Sequence, residues 1–205
     1  MQVQTYGNPA SRNVLVQPVD DHDLALIERE TDAIRAHTDD FQLLAVRVAD
    51  WNRDLSPWIA PPVFGNEPFG DGAEAFLNDV LSLCSDKTRS YFLGGYSLAG
   101  LFALWSAHRT DAFSGVAAAS PSVWFPSFTD HMRTHPVRCR RVYLSLGDRE
   151  ERTRNPVMAT VGERIRLAHA ILSAQGVDCT LEWNPGNHFK DPDQRTAKGF
   201  LWLLS

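Results

Sequence analysis

The sequence predicts an α/β protein: a three-layer α/β/α sandwich on a mostly parallel, six-stranded sheet without a lid domain. Three observations lead there. Short β-branched or apolar runs alternate with longer amphipathic stretches along the chain. The run Phe113–Ala119 is almost continuously apolar, as a parallel strand covered on both faces should be. The stretch Tyr91–Phe102 passes from an apolar run through two glycines and a serine straight into an apolar helical pattern.

Taken in order, Asn13–Pro18 reads as the first strand. Asp23 is placed to cap the helix that follows, to about His37. Leu24, Ile27, Thr31 and Ile34 recur there at helical spacing, with Glu28, Arg29 and Arg35 on the other face. Phe41–Val48 is the second strand. The loop from Asp50 to Gly72 holds four prolines and the aromatics Trp51, Trp58, Phe64 and Phe69, a content that predicts order despite its length. Ala73–Ser85 is the second helix, with Phe76, Val80, Leu81 and Cys84 on one side. Ser90–Gly95 is the third strand and Leu98–His108 the third helix. Phe113–Ala119 is the fourth strand and Phe128–Thr134 a short helix. Arg141–Leu146 is the fifth strand, followed by a helix over about Pro156–Gln175. Asp178–Trp183 is the sixth strand, and Gln194–Leu204 closes the chain as a helix.

The 205 residues fit one domain, 1–205, with a substantial core. Hydrophobic content of 43% and charged content of 22% are ordinary for a soluble protein, and a net charge of −5 argues against nucleic-acid or anionic-membrane partners. The longest apolar runs, Gly115–Ala119 and Phe200–Leu204, fall far short of the ~18 residues of a membrane span. No basic segment followed by an apolar one opens the chain, so no secretory signal is expected. Cys84, Cys139 and Cys179 are odd in number and widely spaced, which argues against a disulfide framework or zinc site and for a reducing cytoplasm.

Right-handed crossovers leave few ways to wind six such strands, and one common order is 2-1-3-4-5-6. Strands 1 and 3 are then neighbours at the switch point, where ligands bind beyond the carboxyl ends of the strands. This brings the loop Val19–Asp23 and the turn Tyr96-Ser97-Leu98 to the candidate site.

The turn itself has a steric logic. A serine on a tight strand-to-helix turn projects its hydroxyl above the sheet, provided that small residues surround it, here Gly95, Ala99 and Gly100. The Leu98 amide, at the helix N-terminus, is placed to meet a developing oxyanion. Ala99 stands where the strict form has glycine, and it is still small. The bland alternative is a glycine-rich turn with a capping serine and no chemistry.

In α/β-hydrolases the partners of such a serine follow it as an acid and then a histidine. The loop after the fifth strand, Ser145–Glu151, offers Asp148, Glu150 and Glu151; the loop after the sixth, Asn184–Phe189, offers His188. Glu150, three residues beyond Gly147, is the preferred acid; Asp148 is the alternative, and Glu151 is expected to face solvent. A second oxyanion donor should come from the backbone N–H groups of Val19, Asp20 or Asp21. The cluster Asp20, Asp21, His22 and Asp23 is read as acidic helix capping, not a metal site. His131 and His135 are read as surface residues. Tyr96 and Trp124, with the Asp50–Gly72 loop, are expected to shape the substrate pocket.

The order of Val14–Asp20, Asn52–Pro57, Gly94–Leu101, Leu146–Glu150 and Gly186–Phe189 resembles the esterase family that includes esterase D and the enterochelin (ferric siderophore) esterases. The resemblance runs from about Val14 to the C-terminus. It implies an α/β-hydrolase fold, a Ser97, His188, Glu150 or Asp148 triad, and neither metal nor organic cofactor. It also implies that the stretch Arg53–Pro57 borders the active site. Relative to larger members, the N-terminus is expected to lack the antiparallel edge strands. The expected partner is a small ester, with room left for a homodimer. Acyl transfer on the same triad, and a binding protein that keeps the fold without the chemistry, are the alternative functions.

Overall fold

The computed structural model describes residues 1–205 and contains one seven-stranded sheet. Its strands are β1 (Val3–Gly7), β2 (Asn13–Val19), β3 (Gln42–Arg47), β4 (Ser90–Tyr96), β5 (Phe113–Ala119), β6 (Arg141–Gly147) and β7 (Asp178–Asn184). They lie in the order β1-β3-β2-β4-β5-β6-β7. All neighbours pair in parallel except β1 with β3. The six expected strands therefore occupy the expected order, with the switch point between β2 and β4.

The seventh strand corrects the expectation of a missing antiparallel edge. Val3–Gly7 carries little apolar signal, because only Val3 and Tyr6 are even half-buried. It forms because β3 would otherwise present a bare edge of N–H and C=O groups, and Val3 pairs with Val46 while Gly7 pairs with Gln42. Gly7 turns the chain with φ 79°, and a Cβ there would lie 2.5 Å from the Phe41 carbonyl oxygen.

The helices are α1 (Asp21–Arg35), α2 (Trp51–Asp54), α3 (Ala73–Ser82), α4 (Leu98–Arg109), α5 (Phe128–Thr134), α6 (Val161–Ala174) and α7 (Pro192–Leu204). The cap of α1 is Asp20 rather than Asp23: Asp20 accepts from the Asp23 N–H, and Asp23 reciprocates toward the Asp20 N–H. The helix α2 breaks up the expected long loop, and a 3₁₀ turn, Met158–Thr160, replaces the expected start of α6. The remainder of the Asp50–Gly72 stretch is pinned by the Ala60–Phe69 bridge and by Trp58 Nε1, which donates to the Pro126 carbonyl at 3.0 Å. No helix is long and apolar enough to cross a membrane.

Two apolar layers cover the sheet. The larger lies under α3 to α6, where α4 is buried from Leu98 to His108 because its sequence is apolar nearly all round. The smaller packs Ile27 and Ile34 of α1 and Phe200 and Leu203 of α7 against Leu15, Leu43 and Phe92. The helix α7 can approach closely because Gly94 has no side chain: a Cβ there would lie 2.6 Å from the Phe200 ring. Cys84, Cys139 and Cys179 are all free thiols.

Candidate active site

Ser97 stands between β4 and α4 with φ 57° and ψ −117°, a left-handed conformation that a residue with a side chain adopts only at a cost. The turn is held by the Ser97 N–H, which donates to Ala119, and by the Ser97 carbonyl, which accepts from Leu101 and Ser122. The steric reason for the small neighbours is visible. A Cβ on Gly95 would lie 2.6 Å from the Cβ of Ala99, so alanine fits at 99 because glycine stands at 95. A Cβ on Gly100 would press on the carbonyl oxygens of Gly95 and Ala119, at 3.0 and 3.1 Å.

His188 reaches this serine from the loop after β7. Its Nε2 lies 3.1 Å from Ser97 Oγ and its Nδ1 lies 2.7 Å from Glu150 Oε2. With Nδ1–H donating to the carboxylate, Nε2 is left to accept the serine proton. Glu150 is nearly fully buried, whereas Asp148 and Glu151 are exposed. Asp148 accepts from the Gly186 N–H at 2.8 Å, and Glu151 pairs with Arg166 at 3.4 Å. The loops after β6 and β7 thus touch, and Gly147 allows it, since a Cβ there would strike the Gly186 carbonyl oxygen.

Burial alone would push the Glu150 carboxyl up. The hydrogen bond and charge of His188, the Ser120 hydroxyl and the Gly147 N–H outweigh it and hold the carboxyl below its ordinary value. Glu150 Oε1 accepts from Ser120 Oγ (2.7 Å), Gly147 N (2.7 Å) and Arg195 Nη1 (2.8 Å). Of these partners Ser120, which stands at φ 42°, and Arg195 were missed in the sequence. So was Ser122, whose Oγ lies 3.4 Å from that of Ser97. Ser120-Pro-Ser122 follows an apolar strand at the sheet edge where ligands bind, so a positional signal existed for them. Arg195 had none, being one cation in an amphipathic helix.

Two cavities border His188, and one of them borders Ser97 as well. One, of about 320 Å³, is lined by Asp20, His22, Asp23, Trp51, Tyr96 and Ser97 together with His188 and Phe189. The other, of about 240 Å³, runs past Ser120, Trp124, Arg149, Met158 and Glu150 and shares His188 and Phe189 with the first. Phe189, 85% exposed, lines both. Tyr96 lines the first and donates its hydroxyl to the His188 carbonyl at 2.8 Å; Trp124 lines the second.

The backbone donors fall unevenly. Leu98 and Asp21 are the first residues of α4 and α1, whose opening N–H groups have no intrahelical partner. The Asp20 N–H is engaged by Asp23 Oδ2 at 3.3 Å. Burial first, and the neighbouring Asp20 second, push the Asp23 carboxyl up to about 6.

Two expectations are corrected here. Arg53 is not brought to the serine: its Nε donates to Asp54 at 2.7 Å and it lines a separate cavity with Asp50 and Glu67. The residue of the Asp50–Gly72 stretch that shares a cavity with Ser97 is Trp51. His131 is not a surface residue: it is half-buried between Trp58 and His135, and burial lowers it to about 4. His135 is exposed, as expected. No group of His, Cys, Asp and Glu side chains converges in a way that could hold a metal ion.

No family model and no curated protein matches the sequence. Solved structures do. Siderophore hydrolase EstA from Aspergillus nidulans aligns with a TM-score of 0.65 at 20% identity, over 96% of this chain and 84% of its own. Siderophore hydrolase EstB from the same organism gives 0.68 at 16%, over 97% and 87%. The enterobactin and salmochelin hydrolase IroE gives 0.67 at 16%, over 98% and 87%. At such identities the likeness speaks for the fold, and with the strand order and the turn at Ser97 it shows that this chain has the α/β-hydrolase fold.

Proposed function

We propose that this protein is a serine hydrolase that cleaves carboxylic esters through an acyl-enzyme intermediate. The observation that carries the reading is the unbroken line from Ser97 Oγ through His188 Nε2 and Nδ1 to Glu150 Oε2, at 3.1 and 2.7 Å. A binding protein that had lost the chemistry would have no need to keep a strained serine, a histidine and a buried carboxylate in register.

In this reading His188 takes the proton of Ser97 as its oxygen attacks the ester carbonyl, and Glu150 steadies the imidazolium. The Leu98 N–H, with the Asp21 N–H as second donor, receives the oxyanion, since the Asp20 N–H is already engaged by Asp23. Collapse expels the alcohol, which takes its proton from His188. Water then enters, gives a proton to His188 and releases the acid, restoring Ser97. The two cavities that share His188 and Phe189 would hold the acyl and alcohol portions. The three free thiols fit a reducing compartment, and we place the reaction in the cytoplasm.

The test is a fluorophosphonate probe together with a panel of p-nitrophenyl esters of increasing chain length. Siderophore esters join the panel because structural neighbours are named for them. Labelling at Ser97, and hydrolysis that Ser97→Ala abolishes, are expected. Folded protein that resists the probe and hydrolyses no ester overturns the proposal. Added alcohol acceptor separates hydrolysis from acyl transfer by product analysis.

A further inference from the structure

Arg195 is among the most deeply buried side chains in the protein, at 1% exposure, although nothing in its local sequence marks it. It projects from α7 and meets the machinery at every joint. Nη1 donates to Glu150 Oε1 (2.8 Å), Tyr96 Oη (3.0 Å) and Ser120 Oγ (3.2 Å). Nη2 donates to the carbonyls of Pro185 (3.2 Å) and Asn187 (3.0 Å), on the loop that carries His188. Glu150 therefore divides its carboxylate: Oε2 faces the imidazole and Oε1 faces a permanent cation.

That division has an electrostatic consequence. A carboxylate beside an imidazole favours the imidazolium; a buried guanidinium on the other oxygen opposes this, and low polarity strengthens both effects. Resting on the esterase reading for its functional meaning, we propose that Arg195 is a positioning residue that restrains the proton affinity of the His188–Glu150 pair. Its charge opposes the proton that Glu150 would otherwise draw onto the imidazole, which must be free of it to act as a base.

Other charged or ionisable groups share this environment. Tyr96 comes from β4, Asp20 caps α1, and His22 and Asp23 lie in the first turn of α1. Arg149 and Arg152 follow β6 and line the second cavity, while Lys190 and Asp191 follow the histidine and line a separate cavity with Arg195. Burial holds the Tyr96 phenol up to about 12, so it stays neutral. Burial also pushes the Asp23 carboxyl up to about 6, and the test must separate it.

The variants are Arg195→Gln and Arg195→Met, which remove the charge, and Arg195→Lys, which keeps it. The acid limb of the kcat/KM profile should rise by about one pH unit in the neutral variants, alone and on an Asp23→Asn background. The lysine variant should keep the limb within about 0.3 units of wild type, although its kcat falls because the loop carbonyls lose their fork. Removing one member of a buried pair destabilises, whereas replacing both is tolerated better. A second comparison therefore sets Glu150→Gln against Glu150→Gln/Arg195→Met, reading the His188 titration midpoint by NMR. The midpoint should lie higher in the double variant.

An acid limb or NMR midpoint that stays put or falls on loss of the charge overturns the proposal. A shift confined to chains that retain Asp23 does so too. If no variant, nor wild type, hydrolyses esters, the esterase reading fails, while the NMR comparison still decides whether Arg195 acts on His188.

Discussion

His188 Nδ1 lies 2.7 Å from Glu150 Oε2, while Asp148, two residues earlier, accepts from the Gly186 N–H at 2.8 Å and faces solvent. The two carboxylates should therefore separate cleanly. Glu150→Gln is expected to lower kcat by about 10³- to 10⁴-fold, because the imidazole loses both its orientation and its counter-charge. Asp148→Asn retains an acceptor for Gly186 and should lower kcat less than about tenfold. Steady-state kinetics with a p-nitrophenyl ester measures both, and equal losses would place the acid elsewhere.

Ser97 trades stability for position. Its φ of 57° is a conformation that glycine adopts freely and serine does not. Ser97→Gly should remove activity yet raise stability by about 1 kcal/mol, or some 2–4 °C in Tm. Ser97→Ala, which keeps the Cβ, should be equally inactive without the gain. Thermal melts of the pair provide the comparison, and a glycine variant melting below the alanine variant would contradict it.

Asp23 makes stability depend on pH. Its carboxyl is pushed up to about 6, by burial first and by Asp20 second, against about 3.9 in an unfolded chain. Between these values the folded state binds more protons. The stability associated with the protonated form is thus complete below about pH 4 and is lost as pH rises through about 6. Asp23→Asn keeps an acceptor for the Asp20 N–H and should stabilise by about 1–3 kcal/mol at pH 7.5 relative to its effect at pH 4. Denaturant titrations at the two pH values test this, and an equal effect at both would refute the burial of that charge.

Phe200 fills the space left by Gly94, with ring atoms 2.6 Å from where a Cβ on the glycine would stand. Phe200→Ala should cost about 3–5 kcal/mol through lost burial and a cavity under α7. Because α7 also carries Arg195, activity should fall together with Tm. Parallel melting and activity curves would show a coupled loss, whereas a stable but inactive variant would point to damage confined to the site.

Much of this arrangement was legible in the residues alone. The run Tyr91–Phe102 places a serine between two small-residue flanks, and that spacing admits little besides a strand-to-helix turn. Alternating apolar runs and the handedness of crossovers were enough for the order of the six parallel strands. Those are local or chirality-limited properties, so a single chain carries them. The edge strand Val3–Gly7 escaped because its partner, not its own composition, makes it a strand. Arg53 was a site residue only by the family resemblance, and its neighbour Asp54 claims its guanidinium.

The choice between Glu150 and Asp148, open in the sequence, depends on which carboxyl faces inward when the loops after β6 and β7 meet. Arg195 stands 45 residues from Glu150 and 99 from Tyr96, and only the packing of α7 against the sheet brings it between them. The sequence by itself determined the six parallel strands, their switch point and a serine raised above them. The tertiary structure decided which charges surround that serine, because a buried ion pair is set by the distance and dielectric between elements that the chain does not place side by side.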